Sequence, residues 1–241
     1  MESPIISADV AADLLTLPSE QRDFGDWRHG RRHYAVWALD VDLPPVRALS
    51  AVGCRAIADF LLPGYCRQPH VTVALCGFPA ARAALADDYP LARLQAEVEA
   101  LRRARLPEFA IEIGAPGSFS SAAYFAVSDP EGGIAALRRL LADDAADAGL
   151  AYLPHVSFAL YRGEFSFAAM LARLAALDCG EPLRLPVARL VLMSYEAAVI
   201  GGRLTPVAAH ELGRAAFTVL DAARMTDFFG TAWRGAGFAG K

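Results

Sequence analysis

The chain contains two closely similar seven-residue motifs, PHVTVAL at residues 69–75 and PHVSFAL at residues 154–160. Each copy places a hydroxyl two residues after a histidine, which gives the pairs His70/Thr72 and His155/Ser157. Imidazole has an ordinary pKa of about 6.5, so two histidines in one site can supply a neutral base and a charged acid together. The repeated pair therefore indicates acid–base chemistry.

The alternation within each copy predicts a β-strand, in which successive side chains point to opposite faces. Each histidine then shares a face with its hydroxyl. The apolar residues, Val71, Val73 and Leu75 in the first copy, form the other face. Because an apolar face requires a core, the polar face is expected to open on a cleft.

Two bland explanations of the repeat are weaker than the functional one. Packing would explain why apolar positions recur, but it would not require a histidine and a hydroxyl to recur at the same offset. Passive gene duplication is the other explanation. The sequences around the two copies have diverged almost completely while the chemistry of these positions has not.

The rest of the chain also reads as two similar halves. The two histidines are 85 positions apart, and each half predicts a β-α-β-α-β order, over about 33–115 and 121–200. A Gly/Pro cluster at residues 114–118 is expected to break the chain between them. Each half is too short to bury a core of its own, so the halves should pack into one bilobal domain related by a pseudo-twofold axis.

The predicted elements follow hydrophobic periodicity and turn residues. Strands are predicted at 33–41, 69–76, 109–113, 122–127, 154–161, 183–196 and 203–210, and helices at 45–62, 79–105, 131–146, 165–177 and 214–229. A short helix capped by Ser7 is expected to reach Leu15. This divides the chain into an N-terminal extension at 1–30, one bilobal domain at 31–212, and a C-terminal helix with a glycine-rich tail at 213–241.

Composition limits the classes of protein that remain. The 241 residues are 55% hydrophobic, with no signal-like start and no uncharged apolar run of 18 residues, which predicts a soluble, cytoplasmic protein without membrane contact, expected to be a monomer. A formal net charge of −4 argues against a protein that coats long nucleic acid. A small cyclic nucleotide or an RNA 3′ end remains compatible as a partner.

The rarity of lysine excludes several mechanisms. Lys241, at the C-terminal end, is the only lysine. The folded body therefore lacks the lysine required by a GK[ST] phosphate-binding loop, a Schiff base or a covalent lysine–nucleotide intermediate. The four cysteines lack CxxC spacing and are predicted to be free, buried thiols. A histidine-based metal site would need more ligands than two histidines, and neither motif contains Asp, Glu or Cys, so no metal and no cofactor are expected.

Cleavage of a phosphodiester requires both an acid and a base, on opposite sides of phosphorus in an in-line displacement. A pseudo-twofold axis between the two histidines would supply that opposed geometry. Thr72 and Ser157 could donate hydrogen bonds to the non-bridging oxygens, on which negative charge accumulates in the transition state.

Paired His-x-Thr and His-x-Ser motifs on strands of two similar halves resemble the two-histidine (2H) phosphoesterase superfamily, which includes 2′-5′ RNA ligases and cyclic phosphodiesterases. The resemblance covers about residues 33–210 and rests on His70, Thr72, His155 and Ser157. It implies an α+β fold of two antiparallel sheets with outer helices and an active cleft between the lobes. It also implies metal-independent hydrolysis of 2′,3′-cyclic phosphates of nucleotides or RNA ends with a 2′-phosphate product, and reversal of this chemistry as 2′-5′ ligation.

A nucleoside substrate would use aromatic faces for stacking and arginine for phosphate or base. The residues near the motifs that could do so are Tyr65, Arg67, Phe78, Tyr152, Tyr161 and Arg162. Surface packing explains each of them equally well. His29 and His33 are expected in a solvated basic run before the first strand, and His210 is expected to be structural.

Three questions stay open at the level of sequence. The motifs are nearly symmetric, so the acid and the base cannot be assigned. The physiological substrate depends on pocket size, which the sequence does not reveal. A nucleotide- or RNA-binding module of the same fold without turnover is the alternative to an enzyme, although retention of both histidines and both hydroxyls favours the enzyme.

Overall fold

A computed structural model describes residues 14–141 and 152–238, which form an α+β protein built on two curled sheets. The strands are β1 His33–Asp40, β2 His70–Ala80, β3 Asp88–Pro90, β4 Phe109–Ser118, β5 Ala122–Ser128, β6 His155–Leu160, β7 Leu183–Val187, β8 Arg189–Glu196, β9 Thr205–Glu211 and β10 Ala216–Val219. The helices are α1 Gly25–Arg28, α2 Pro44–Ala56, α3 Leu91–Ala104, α4 Gly133–Leu141, α5 Phe167–Ala175 and α6 Ala222–Phe229. Single 3₁₀ turns cover Ala58–Phe60 and Gly230–Gly235.

The first sheet has the strand order β10-β9-β8-β1-β2-β3 and the second has the order β6-β5-β4-β7. Neighbouring strands are antiparallel except β2 and β3, which run parallel. The predicted α+β architecture with two antiparallel sheets is therefore confirmed, with one short parallel edge strand added.

The two sheets do not coincide with the two halves of the sequence. The last strand of the first half, β4, pairs with β5 in the second sheet, and β8, the last strand of the second half, pairs with β1. The orders β2-β1-β8 and β6-β5-β4 are therefore equivalent. Because each half gives its last strand to the other sheet, neither half can complete a sheet alone.

Two helices also pack against strands of the opposite half. Helix α2, which follows β1, packs against β6, and α4, which follows β5, packs against β2. Gly53 lets α2 approach closely, since a Cβ at this position would lie 2.9 Å from the Phe158 ring. One continuous apolar core results, which includes Trp37, Val73, Phe125 and Val156, each fully or almost fully buried. Both α2 and α4 thus pack against a motif strand from the other half.

The predicted helix at 79–105 is wrong in its first part. Strand β2 continues to Ala80, a turn follows, and the helix begins only after Pro90. The carboxylate of Asp88 accepts hydrogen bonds from the backbone N–H groups of Ala84 and Leu85, both at 2.8 Å. These bonds stabilise a turn in place of the first helical turns.

Two strand predictions also need correction. The glycine-rich cluster at 114–118 does not break the chain but lies inside β4, where the register shifts between Ile113 and Pro116. A bulge tolerates glycine and proline at such positions. The predicted strand at 183–196 is two strands separated at Ala188, one in each sheet.

The predicted helix at 214–229 begins later than expected. Its first part is strand β10, which forms a hairpin with β9 through Gly213 and Ala215, both with positive φ. The helix then starts at Ala222, with Asp221 as its N-cap accepting from the Arg224 N–H at 2.8 Å. Alternating Ala216–Val219 favoured the strand, and the apolar periodicity that suggested a helix begins only after the cap.

The segment 14–31, which is helical only at α1, contacts both lobes. Ser7 lies outside the described residues, as do positions 142–146 of the predicted helix at 131–146. Leu15 forms an isolated bridge with Ser166, so no helix reaches this residue. Farther along, Arg31 pairs with Asp87 and Asp88 beside the first sheet. No helix within the described ranges is long and apolar enough to span a membrane.

Candidate active site

The two motifs occupy equivalent places in the two sheets. On β2, His70 lies opposite Asp40 of β1, and Thr72 lies opposite Ala38. On β6, His155 lies opposite Ala126 of β5, and Ser157 lies opposite Tyr124. Each histidine therefore shares a sheet face with its hydroxyl, as the alternation predicts.

The apolar face of the first motif differs from the prediction at one residue. Val71 and Val73 are fully buried, but Leu75 is 42% exposed. The register of β2 shifts by one residue between Thr72 and Ala74, which lie opposite Ala38 and Trp37. This bulge at Val73 turns Leu75 to the face that carries His70 and Thr72.

The motif strands lie side by side where the two sheets meet. Strand β6 is the edge of its sheet, and β2 pairs with β3 only over Phe78–Ala80, so the His70 end of β2 is also an edge. The His155 side chain is near enough for its positive charge to lower the pKa of His70. Both imidazoles thus lie near each other where the two sheets meet.

Backbone carbonyls hold the two imidazoles in the same way. His70 Nδ1 lies 2.9 Å from the Gln68 carbonyl oxygen, and His155 Nδ1 lies 2.7 Å from the Leu153 carbonyl oxygen. A carbonyl can only accept, so each Nδ1–H donates and the neutral ring keeps its lone pair on Nε2. Neither Nε2, nor either motif hydroxyl, has a hydrogen-bond partner among the described residues.

The two histidines differ in how strongly their surroundings lower the pKa of the ring. Burial lowers the pKa of His70 to about 4, and the positive charges of Arg67 and His155 act in the same direction. Burial also lowers the pKa of His155, against a smaller opposing effect of the Leu153 carbonyl. Both rings are therefore predominantly neutral at pH 7 in the free protein, and His70 is the harder one to protonate.

Two aromatic side chains that the sequence analysis missed contact His155. The Phe119 ring lies 4.8 Å from the imidazole, edge to face, and the Tyr124 ring lies 5.5 Å away. Both residues are half-buried. The Ala-Tyr-Ala alternation of β5 could have indicated Tyr124, whereas the loop position of Phe119 carries no sequence signal.

The surroundings of His70 are cationic. The Arg67 guanidinium lies over the Tyr195 ring at 4.2 Å, and its Nε donates to the Gly202 carbonyl at 3.0 Å. The Gln68 amide exchanges two hydrogen bonds with the Leu204 backbone. The two Nη groups of Arg67 have no partner in the part of the chain that the structure describes, so this predicted binding residue is available to an anion.

Two other predicted binding residues are not available. Phe78 and Tyr161 are 0% exposed, with Phe78 beneath Trp27 and the Arg31 guanidinium. The predictions for these two residues are wrong, because proximity in sequence did not place them on an exposed face. Arg162 is exposed, with its Nε donating to the Asp59 carbonyl at 2.9 Å, and it stays a predicted binding residue.

The two remaining tyrosines bond to the motif strands. Tyr65 donates through its hydroxyl to the Ser157 carbonyl at 3.3 Å, and Tyr152 donates to the Thr72 carbonyl at 2.7 Å. Burial raises the pKa of Tyr65 to about 12. The Tyr152 ring is covered by the Arg138 guanidinium at 3.6 Å. Both residues are half-buried.

The three histidines outside the motifs differ in burial. His33 is buried against Arg224 and not solvated as expected, while His29 is exposed. His210 is 1% exposed, in keeping with a structural role.

The cysteines only partly match the expectation of buried thiols, because Cys76 is buried but Cys66 is exposed. No group of three or more metal-ligating side chains occurs within residues 14–141 and 152–238.

Comparison with known proteins assigns the family. A family model described as the 2′-5′ RNA ligase superfamily matches residues 24–198. The chain therefore belongs to this superfamily, a branch of the two-histidine phosphoesterases, which supports phosphodiester chemistry. A search of curated proteins finds no match.

Similar solved structures include Escherichia coli LigT in apo form, with 18% identity, 76% of this chain and 99% of LigT covered, and a TM-score of 0.46. LigT complexed with 3′-AMP matches with 18% identity over 75% of this chain and 98% of that one, at a TM-score of 0.46. A protein described as a phosphoesterase matches with 20% identity over 75% and 98% of the two chains, also at 0.46.

Proposed function

We propose that this protein is a metal-independent phosphodiesterase that hydrolyses 2′,3′-cyclic phosphates of nucleotides or RNA ends. The observation that carries the proposal is the paired motif: two imidazoles held by Nδ1 on neighbouring strand edges, each with a hydroxyl one pleat away on the same face. The family to which the chain belongs supports the same chemistry.

The reaction uses the two Nε2 atoms on opposite sides of phosphorus. One histidine takes a proton from the attacking water, whose oxygen bonds to phosphorus. The bond from phosphorus to O3′ breaks, and the second histidine gives its proton to O3′, which leaves a 2′-phosphate. Thr72 and Ser157 donate hydrogen bonds to the non-bridging oxygens as charge develops on them. Attack by a sugar 5′-hydroxyl in place of water, with O3′ again leaving, would form a 2′-5′ linkage.

The asymmetry of the site supports a role for each histidine. His70 is the base, because its burial and the neighbouring Arg67 keep it unprotonated. His155 is the acid, because it is less buried and its neighbours Phe119 and Tyr124 add no positive charge. The single negative charge of a bound cyclic phosphate would favour the charged imidazolium needed for this role.

The same asymmetry supports one orientation of the substrate. The free Nη groups of Arg67 would bind phosphate oxygens at the His70 side of the cleft. The half-exposed Phe119 and Tyr124 rings would pack against the nucleoside at the His155 side. A small nucleotide or the 3′ end of an RNA fits this division, and the formal net charge of −4 argues against a long duplex.

The test is product analysis with the four nucleoside 2′,3′-cyclic monophosphates, with and without EDTA. The wild-type protein should convert at least one of them to a single 2′-monophosphate isomer and should resist the chelator. His70→Ala and His155→Ala should each lower turnover by roughly a hundredfold or more. His29→Ala, which changes an exposed histidine outside the cleft, is the matched control and should retain wild-type rates.

Chelator-sensitive turnover, or wild-type rates from both motif variants, would contradict the mechanism. A protein that binds these nucleotides but converts none of them, including an RNA oligonucleotide with a terminal cyclic phosphate, would be a binding module of the same fold.

A further inference from the structure

The spacing between the two motif strands is not set by a β-ladder. The strands β2 and β6 belong to different sheets, and no ladder joins them among the described residues. A single backbone bridge between Leu61 and Tyr161 joins the loop before β2 to the end of β6, away from the histidine end of that strand. In-line chemistry needs both Nε2 atoms at a fixed separation, because a misplacement of about 1 Å can cost on the order of a hundredfold in rate. Contacts closer to the two histidines must therefore hold the edges at that separation.

Two tyrosine hydroxyls cross the gap in opposite directions. Tyr65 lies five residues before His70 and donates to the carbonyl of Ser157, the hydroxyl residue of the other motif. Tyr152 lies three residues before His155 and donates to the carbonyl of Thr72. The lead-in of each motif is therefore bonded to the hydroxyl residue of the other, in a reciprocal pattern that follows the pseudo-twofold axis.

Both tyrosines are themselves held in place. A Cβ at Gly201 would lie 2.8 Å from Tyr65 Cδ2, so the loop around Gly201 packs directly on this ring. The Arg138 guanidinium covers the Tyr152 ring and donates to the Val73 carbonyl at 2.7 Å, next to the carbonyl that Tyr152 contacts. These contacts reduce the freedom of each hydroxyl before it bonds across the gap.

We infer that Tyr65 and Tyr152 are positioning residues, which set the separation of His70 and His155 and do not bind the nucleoside. The acceptors are backbone carbonyls of the residues that carry the catalytic hydroxyls, so each bond fixes one hydroxyl together with the strand. This inference deepens the proposed function, on which its kinetic test rests.

The kinetic test compares Tyr65→Phe and Tyr152→Phe, which keep the ring and remove the hydroxyl that bonds across the gap. Each should lower kcat by about ten- to a hundredfold and leave KM within about twofold. Tyr161→Phe is the matched control, because its buried hydroxyl bonds Ser118 within the second lobe, and it should retain wild-type kcat. A rise in KM without loss of kcat, or wild-type kinetics in both variants, would overturn the inference.

A second readout requires no turnover and separates this inference from the proposed function. The pKa of His70, followed by NMR titration of the imidazole, should rise towards its ordinary value in both variants, since a looser gap admits water and moves His155 away. The control variant should leave the His70 titration unchanged. An unaltered titration in both tyrosine variants would overturn the inference even if the protein proved inactive. If one variant fails to fold, the other decides alone, since the two bonds are separate.

Discussion

Two histidines in nearly identical motifs have different surroundings in this protein. His70 is buried beside the Arg67 guanidinium, whereas His155 lies edge to face with Phe119 and near Tyr124. Backbone carbonyls hold both histidines in the same tautomer, and neighbours from other elements set the proton affinity of each ring. A symmetric pair of motifs can thereby supply two unequal partners for acid–base catalysis.

The pH profile should report this inequality. The base must be neutral and the acid protonated, so kcat/KM should be bell-shaped with its maximum below pH 6.5, because burial lowers the pKa of both histidines in the free protein. Arg67→Gln removes a charge that lowers the pKa of His70 and should therefore move the acidic limb to higher pH.

Arg55→Gln is the control for this measurement, because Arg55 is exposed on α2 and has no contact with the cleft. An acidic limb that stays in place in Arg67→Gln, or that moves equally in Arg55→Gln, would contradict the assignment of His70 as the base.

At the scale of elements, the site depends on two loops that bond to each other. Cys66 N–H donates to the Gly201 carbonyl at 3.0 Å, and the Arg67 and Gln68 side chains bond to Gly202 and Leu204. The loop before His70 is therefore held by the loop between β8 and β9. The same loop supplies the carbonyl that accepts from the Arg67 Nε, and Tyr195 at the end of β8 packs against the guanidinium.

A pair of glycine substitutions can test this loop contact. Gly201 and Gly180 have similar positive φ values, +68° and +65°, but only a Cβ at Gly201 would meet Tyr65, whereas nothing lies within 4 Å at Gly180. Alanine at either position should lower the free energy of unfolding by about 1 kcal/mol through backbone strain. Gly201→Ala alone should also lower kcat several-fold, because it displaces Tyr65.

The measurement is denaturant unfolding together with steady-state kinetics for both variants. Equal kinetics in the two variants would show that the Gly201 contact does not reach the active cleft.

At the scale of the whole molecule, the exchange of β4 and β8 joins the two lobes into one core. Each lobe lacks a strand until the other is formed, and each motif strand is covered by a helix from the other half. Unfolding is therefore expected to be one cooperative transition, and buried titratable groups in either lobe should affect the stability of the whole protein.

Buried histidines make that stability depend on pH. Burial lowers the pKa of His70 and of His210 to about 4, so between about pH 6.5 and 4 the unfolded chain binds protons that the folded protein does not. The free energy of unfolding should therefore fall as the pH is lowered through this window, by roughly 3 kcal/mol for a group with such a shift.

Denaturant titrations at pH 7 and pH 4.5 would measure this effect. His210→Gln should reduce the difference between the two pH values, because His210 is buried outside the cleft, and His29→Gln should leave the difference unchanged. If His210→Gln kept the full difference between the two pH values, the loss of stability at low pH would not come from protonation of His210.

The sequence by itself determined the two motifs, the strand on which each lies and the α+β class. These features are local: alternation with a period of two places a histidine and a hydroxyl on one face, whatever the rest of the chain does. The repeat in sequence likewise predicted two related lobes. The ends and registers of elements were predicted less well where side-chain caps and bulges determine them, as at Asp88, Asp221 and Val73.

Tertiary structure alone decided which strands share a sheet and which side chains reach the cleft. Phe119, Tyr124 and Tyr195 come from strands or loops remote from both motifs, and Phe78 and Tyr161, though adjacent in sequence, are buried. The physical reason is that the surroundings of a side chain depend on strand pairing over long separations. A local pattern can define a reactive group, but the exchange of β4 and β8 defines its neighbours.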